Sequence, residues 1–229
     1  MQRTIKSFVM RAGRISNRQQ QGLDQSLKAY KLSLGEAWDL AAIFGREAET
    51  VVEIGFGMGK SLLTMALQQP EVNFIGIEVH RAGLGALAAD LCDHAVQNVR
   101  VVNGDAVMVF KHQLANDSLA GVQIFFPDPW PKKRHHKRRL LQTDFAKLIL
   151  ERVKLGGFIH CATDWQEYAE HIKVVMDSTA GLANSEAQGG FSPRPQTRPL
   201  TKFEQRGQRL GHGVWDLVYI KKNELSEAD

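Results

Sequence analysis

The chain has 229 residues, 43% hydrophobic and 24% charged, enough for one globular domain with a substantial core. Its 29 basic and 25 acidic side chains leave a formal charge of +4, too small by itself to mark a polyanion partner, and no run of about 18 apolar residues is present to cross a membrane. Cys92 and Cys161 are the two cysteines, in no paired or metal-ligand spacing, which argues against a disulfide scaffold or a cysteine zinc cluster.

The position of the charge is more informative than its sum. Residues 1–18 carry five cations and residues 132–139 carry six, with no acid in either stretch, so the remainder of the chain is net acidic. Two basic patches on an acidic body make the local field a polyanion needs. The opening segment has charge but no apolar core of a signal peptide, and the expectation is a soluble, cytoplasmic protein. Residues 1–22 hold few large apolar groups and are expected to form a mobile basic arm, with 23–229 as a single domain.

From Leu23 to Phe44 apolar residues recur by threes and fours, predicting one or two helices. A buried-strand run, Thr50 to Ile54, then meets Gly55-Phe-Gly57-Met-Gly59 and a helical run from Lys60 to Gln69. Further strands are predicted at 73–77, 99–102, 122–126 and 157–162. Helices are predicted between them at 81–96, 106–114 and 138–153, and another at 165–178. Residues 184–213 are rich in Gly, Pro, Arg and Gln, and 214–220 closes as an alternating strand. Alternation of this kind implies an α/β fold with a doubly wound, mostly parallel sheet, the last strand joining antiparallel as an edge strand.

In such a sheet ligands bind beyond the carboxyl ends of the strands. Acids cluster there: Glu53 on the first strand, beside a turn of Gly55, Gly57 and Gly59, then Glu78 ending the second, Asp105 after the third and Asp128 after the fourth. A glycine turn admits close backbone approach, and an acid roughly 25 residues on suits a ribose diol. Nicotinamide and S-adenosylmethionine sites share both features. The third glycine of the dinucleotide fingerprint is replaced by Lys60, and acids around the turn repel a pyrophosphate but favour a sulfonium with an ammonium group. A cationic cofactor follows.

Two prolines flank Asp128 and restrict the chain around it, Trp130 comes next, and a basic run extends from Lys132 to Arg139. Its six cations do not fall on one helical stripe, which favours phosphate contacts over an internal salt-bridge face. The adjacent His135 and His136 are placed badly for one metal and fit RNA contact or solvation. Cys92 reads as a buried helix residue, His212 as a turn residue, His80 and Arg81 as a helix start, and Trp215 and Tyr219 as packing residues on one strand face.

These residues resemble the bacterial tRNA (guanine-N7)-methyltransferases, of the class I seven-stranded S-adenosylmethionine-dependent fold. The likeness is carried by 53–59, by Gly76-Ile-Glu-Val-His80, by Phe126-Pro-Asp-Pro-Trp-Pro-Lys132 with its basic continuation, by Ala162-Thr-Asp-Trp165 and by 198–207. It implies methylation at N7 of the guanosine at nucleotide 46 in the tRNA variable loop. By the same resemblance Glu53, Glu78, Asp105 and Asp128 match cofactor contacts, and Asp128 also matches the catalytic position. Lys132, Asp164, Thr201, Lys202, Phe203 and Glu204 match the guanosine-binding positions; Arg134, His135, His136, Lys137, Arg138 and Arg139 match the RNA-contacting stretch. Two alternatives stand beside this reading: an RNA-binding module that keeps the fold without catalysis, and a nicotinamide-dependent oxidoreductase. The glycine spacing and the lack of a Tyr-x-x-x-Lys pair count against the second.

Overall fold

A computed structural model describes residues 6–9, 13–200, 204 and 213–223. Five strands run parallel: β1 (Thr50–Ile54), β2 (Asn73–Glu78), β3 (Val99–Asn103), β4 (Leu119–Phe125) and β5 (Val153–Thr163). Two more, β6 (Leu182–Asn184) and β7 (Trp215–Lys221), are antiparallel to their neighbours. The sheet order is β3-β2-β1-β4-β5-β7-β6. Every residue of β1 and β2 is buried, as a parallel strand covered on both faces requires.

The helices between strands are α4 (Lys60–Gln68), α5 (Arg81–Asp93), α6 (Ala106–His112) and α7 (Thr143–Arg152), with α8 (Gln166–Asp177) after β5. They divide the core into two apolar clusters, one on each face of the sheet. Chain order reverses between β1 and β4, and the carboxyl ends of those strands form the crevice where a ligand is expected. No helix among the described residues is long and apolar enough to cross a membrane.

The closing strand is antiparallel, and it lies one place in from the edge because β6 pairs outside it. The helix predicted over 138–153 begins only at Thr143. Lys133–Arg138 instead wind into a 3₁₀ turn, and Gln142 donates its amide to the carbonyls of His136 and Arg139, ending that turn. Between Leu23 and Phe44 helix exists only to Tyr30 and again over α3 (Leu40–Phe44). The intervening Leu32 donates its N–H to Val101 O, so the chain runs along the open side of β3 and covers it.

The boundary of the arm also shifts. Asn17–Gln21 (α1), a π-helical segment Gly22–Ser26 and Leu27–Tyr30 (α2) follow one another and pack on α5. Ser16 caps this run through a reciprocal bond with Gln19, and Arg18 reaches Asp90 and Asp93 on α5 at 2.8 and 2.6 Å. A Cβ on Gly22 would lie 1.9 Å from Gly85 O, so glycine permits the close crossing. Residues 17–22 therefore belong to the folded body. Cys92, expected to be buried, is exposed in the last turn of α5.

Candidate functional site

The turn after β1 holds Gly55, Gly57 and Gly59 at φ of +75°, +57° and +76°, a region open to glycine at little strain. Gly59 has a second constraint: a Cβ there would meet Leu87 of α5 at 2.7 Å. Above Gly55 and Gly57 there is open space, and the turn delivers the chain into α4. Glu78 locks the turn to β2. Its carboxylate accepts from the N–H groups of Gly57 (2.9 Å), Val79 (2.7 Å) and His80 (2.9 Å).

Two cavities flank this turn. The smaller, about 180 Å³, is lined by Glu78, Val79, Gly104, Ala106, Phe126 and Asp128, together with Ser7 and Phe8. The larger, about 710 Å³, is lined by Glu53, the three glycines, Ser61, Phe125, Phe126, Arg198 and Leu200. Asp105 stands beside the smaller one as the N-cap of α6, accepting from Val107 N–H at 3.0 Å. Glu53 is 2% exposed, and its Oε2 is buried without a hydrogen-bond partner among the described residues. Burial, and then the charge of Glu78, push its carboxyl up to about 8.

Asp128 is exposed at the cavity edge, on a loop held from several sides. Phe126 and Trp130 bracket it at φ +52° and +46°, left-handed conformations that non-glycine residues keep only when their surroundings impose them. Phe126 N–H donates to Ala162 O at 2.7 Å, Trp130 Nε1 to Ser7 O at 3.1 Å, and Arg139 Nε to Pro129 O at 2.9 Å. Arg138 stacks 4.2 Å above the Trp130 ring and donates to Phe8 O.

This geometry sorts the basic run. Lys132, Lys133, Arg134 and Lys137 are exposed, and His135, His136 and Arg138 are half-buried. The surrounding loop, and then the cations Arg134, Arg138, Lys132 and Lys137, hold His135 below the usual imidazole value. Arg139 does not belong to an RNA-facing surface. Its side chain is 1% exposed, bonded to Pro129 O and Glu167, and its guanidinium lies 5.0 Å over the Tyr168 ring, so it clamps the loop from inside.

Asp164, after β5, lines a separate open depression with Trp165, Glu167, Glu170 and Trp215, apart from the two cavities at the glycine turn. Glu204 is buried, and both carboxylate oxygens accept from Arg198, at 2.6 and 2.8 Å. Both oxygens are thus held in a bidentate ion pair, the arrangement that compensates a buried carboxylate best. Thr201, Lys202 and Phe203, and also His212, lie outside the described residues. Trp215 and Tyr219 pack with Leu217 against the core, as their alternation predicts.

Sequence reasoning missed the hub of this wall. Arg198 is 1% exposed and also donates to both oxygens of Asp216, at 2.7 and 2.8 Å. His160 on β5 pairs with the same Asp216 at 2.7 Å. Burial alone would raise the Asp216 carboxyl, but hydrogen bonds from His160 and Arg198 override it and hold the group below the usual carboxylate range. The available signal was an acid inside the apolar alternation of β7. Arg198 faces the Phe125 and Phe126 rings at 5.9 and 5.7 Å, so this network fixes the wall opposite Glu53.

A family model described as "Putative methyltransferase" matches residues 47–217. Similar curated proteins carry the name tRNA (guanine-N(7)-)-methyltransferase. One from Legionella pneumophila (strain Corby) is 62% identical over 225 residues, covering 97% of this chain and all of the relative. One from Pseudomonas aeruginosa is 54% identical over 218 residues, covering 95% of this chain and 89% of the relative. One from Shewanella oneidensis is 53% identical, covering 95% and 92%. Among solved structures, the 16S rRNA methyltransferase KamB superposes with a TM-score of 0.58 at 13% identity, covering 82% of this chain and 96% of that one, a likeness of fold.

Proposed function

Because the chain belongs to the tRNA (guanine-N7)-methyltransferase family, we propose that it methylates N7 of the guanosine at nucleotide 46 in the tRNA variable loop, in the cytoplasm, with Asp128 as its catalytic carboxylate. S-adenosylmethionine is the methyl donor, and when bound it supplies an electrophilic methyl group on a positively charged sulfur. The cavities fit such a group. Among the described residues, Glu53 offers a buried, unpartnered carboxyl oxygen and Ser61 a buried, unpartnered hydroxyl to the larger one, in keeping with an ammonium and a carboxylate. Glu78, fixed by three backbone amides, suits a ribose, and Asp105 an exocyclic amine.

Guanine N7 already carries a free lone pair, so no proton needs to be removed before attack. Positioning and charge placement then carry the rate enhancement. Asp128 is the observation on which the reading chiefly stands: an exposed carboxylate at a cavity edge, on a loop pinned by Phe126, Trp130 and Arg139. Placed near a ring that turns cationic, it stabilises the charge that arrives with the methyl group. Lys132, Lys133, Arg134 and Lys137 project from the same loop and are suited to the phosphates flanking the target. Asp164 is suited to accept from the guanine N1–H and N2–H₂ edge, which adenine does not present.

The test is transfer of labelled methyl from S-adenosylmethionine to unmodified tRNA transcripts with and without guanosine in the variable loop, followed by borohydride–aniline cleavage. Label and a single cut at that guanosine are expected. Salt-sensitive tRNA binding without transfer would refute the reading in favour of a non-catalytic RNA-binding module.

A further inference from the structure

Glu53 on β1 is in lateral register with Gln123 on β4, so the two side chains leave the sheet on the same face as neighbours. Both are buried, at 2% and 4% exposure. Glu53 Oε2 and Gln123 Oε1 are each without a hydrogen-bond partner among the described residues. Two adjacent buried acceptors are costly, since each forfeits its hydration and gains nothing. One proton would satisfy both at once, with a neutral Glu53 carboxyl as the donor and the Gln123 carbonyl oxygen as the acceptor.

We propose that Glu53 is neutral in the cofactor-free protein, with its carboxyl proton donated to Gln123 Oε1, and that the ammonium group of the arriving cofactor displaces that proton to solvent. Gln123 is then a positioning residue for the neutral state of the site. The inference rests on the reading that Glu53 contacts the cofactor.

The surroundings support a neutral resting state. Burial comes first, and Glu78 on β2 adds a like charge, which together raise the Glu53 carboxyl to about 8. The remaining charged groups described around the cavity are engaged with other partners. Lys60 at the start of α4 is bonded to Asp90 at 2.6 Å, and Arg198 on the far wall is bonded to Glu204 and Asp216. Beyond Gln123 in register, His160 is bonded to Asp216. Ser61 contributes a neutral hydroxyl.

The experiment is isothermal titration of the full chain with S-adenosylhomocysteine, which has the same amino-acid end and avoids turnover, in buffers of different ionisation enthalpy. For a group titrating near 8, about 0.9 proton is released per ligand bound at pH 7, and affinity rises about ninefold from pH 6 to pH 7. The ligand's own amino group stays largely protonated across that window. Glu53→Gln, isosteric and neutral, is expected to weaken binding and to abolish both the release and the pH dependence. Difference infrared spectra are expected to show a protonated-carboxyl stretch that is lost on binding, absent in Glu53→Gln and shifted in frequency in Gln123→Leu. Weakened binding in Glu53→Gln with no proton released by the wild type would overturn the proposal alone, leaving Glu53 as an ionised cofactor contact. Unchanged affinity in Glu53→Gln would remove Glu53 from the cofactor site and overturn both readings. An unshifted band in Gln123→Leu would overturn the part assigned to Gln123.

Discussion

Replacing Arg198 by Met removes one cation from between two carboxylates and leaves the side-chain volume nearly unchanged. Arg198 is 1% exposed and makes four N–H···O contacts, two each to Glu204 and Asp216. Removing one partner of a buried ion pair costs about 3–5 kcal/mol, because the charge left behind has lost both its hydration and its counter-ion. For a chain of this length each kcal/mol lowers Tm by roughly 2–4 °C, so a fall of roughly 6–20 °C is expected by calorimetry at pH 7. The pH dependence has a definite sign. Asp216 is depressed in the folded state, so its contribution is complete above its unfolded pKa of about 3.9 and is lost as pH falls through the lower folded value. In the variant Asp216 keeps only His160 of its two partners and more readily takes up a proton to remain buried, which is easier at lower pH. The gap between wild type and variant should therefore be widest near pH 7–8 and narrow toward pH 5. Arg198→Lys keeps the charge but not the planar fork, and should fall between them. A loss below about 1 kcal/mol at pH 7, or a gap that widens on acidification, would refute this account.

Three further outcomes follow from the site. Asp128→Ala should lower turnover by about 10²–10³ while leaving tRNA affinity nearly intact, read by single-turnover methylation beside filter binding; an active alanine variant would remove the catalytic role. Neutralising Arg134 and Lys137 together should flatten the log–log salt dependence of tRNA binding by about 1.4–1.8, whereas Arg139→Gln, which breaks the clamp on Pro129, should act mainly on stability; equal effects on the salt slope would contradict the sorting of exposed from buried cations. Gly59→Ala should destabilise by about 1–3 kcal/mol in urea unfolding, since its Cβ would overlap Leu87 and its φ is +76°; a neutral result would mean that α5 can withdraw from the turn.

The parallel sheet was legible because its strands are short apolar runs ended by glycines or acids, a pattern that amphipathic helices do not produce. The same logic exposed Glu53, Glu78 and Asp128, all at the carboxyl ends of strands beside the crevice. What could not be read was pairing across distance. Glu204 looked available because nothing local announces that Arg198, six residues earlier, turns back to cover both of its oxygens. Asp216 was hidden in an alternating strand whose period says only which face it takes. Arg139 is one of six cations in sequence, and only the 3₁₀ turn of Lys133–Arg138 decides that it points inward. The docking of Asn17–Tyr30 depends on Gly22 meeting Gly85, a contact made by the absence of side chains, which an apolar pattern cannot register. The strand β6 escaped notice because three half-buried residues carry no period.

The place of β7 in the sheet has a consequence for biosynthesis. The ribosome delivers β6 before β7, yet β6 has no partner until β7 slides between it and β5. The parallel strands can close as they emerge, but the wall opposite Glu53 waits, because Asp216 arrives on β7 and Arg198 lacks that counter-ion until then. A nascent chain halted before residue 214 thus has its glycine turn and its basic loop but an incomplete wall to the larger cavity. The order of synthesis leaves that wall open until the sheet is sealed.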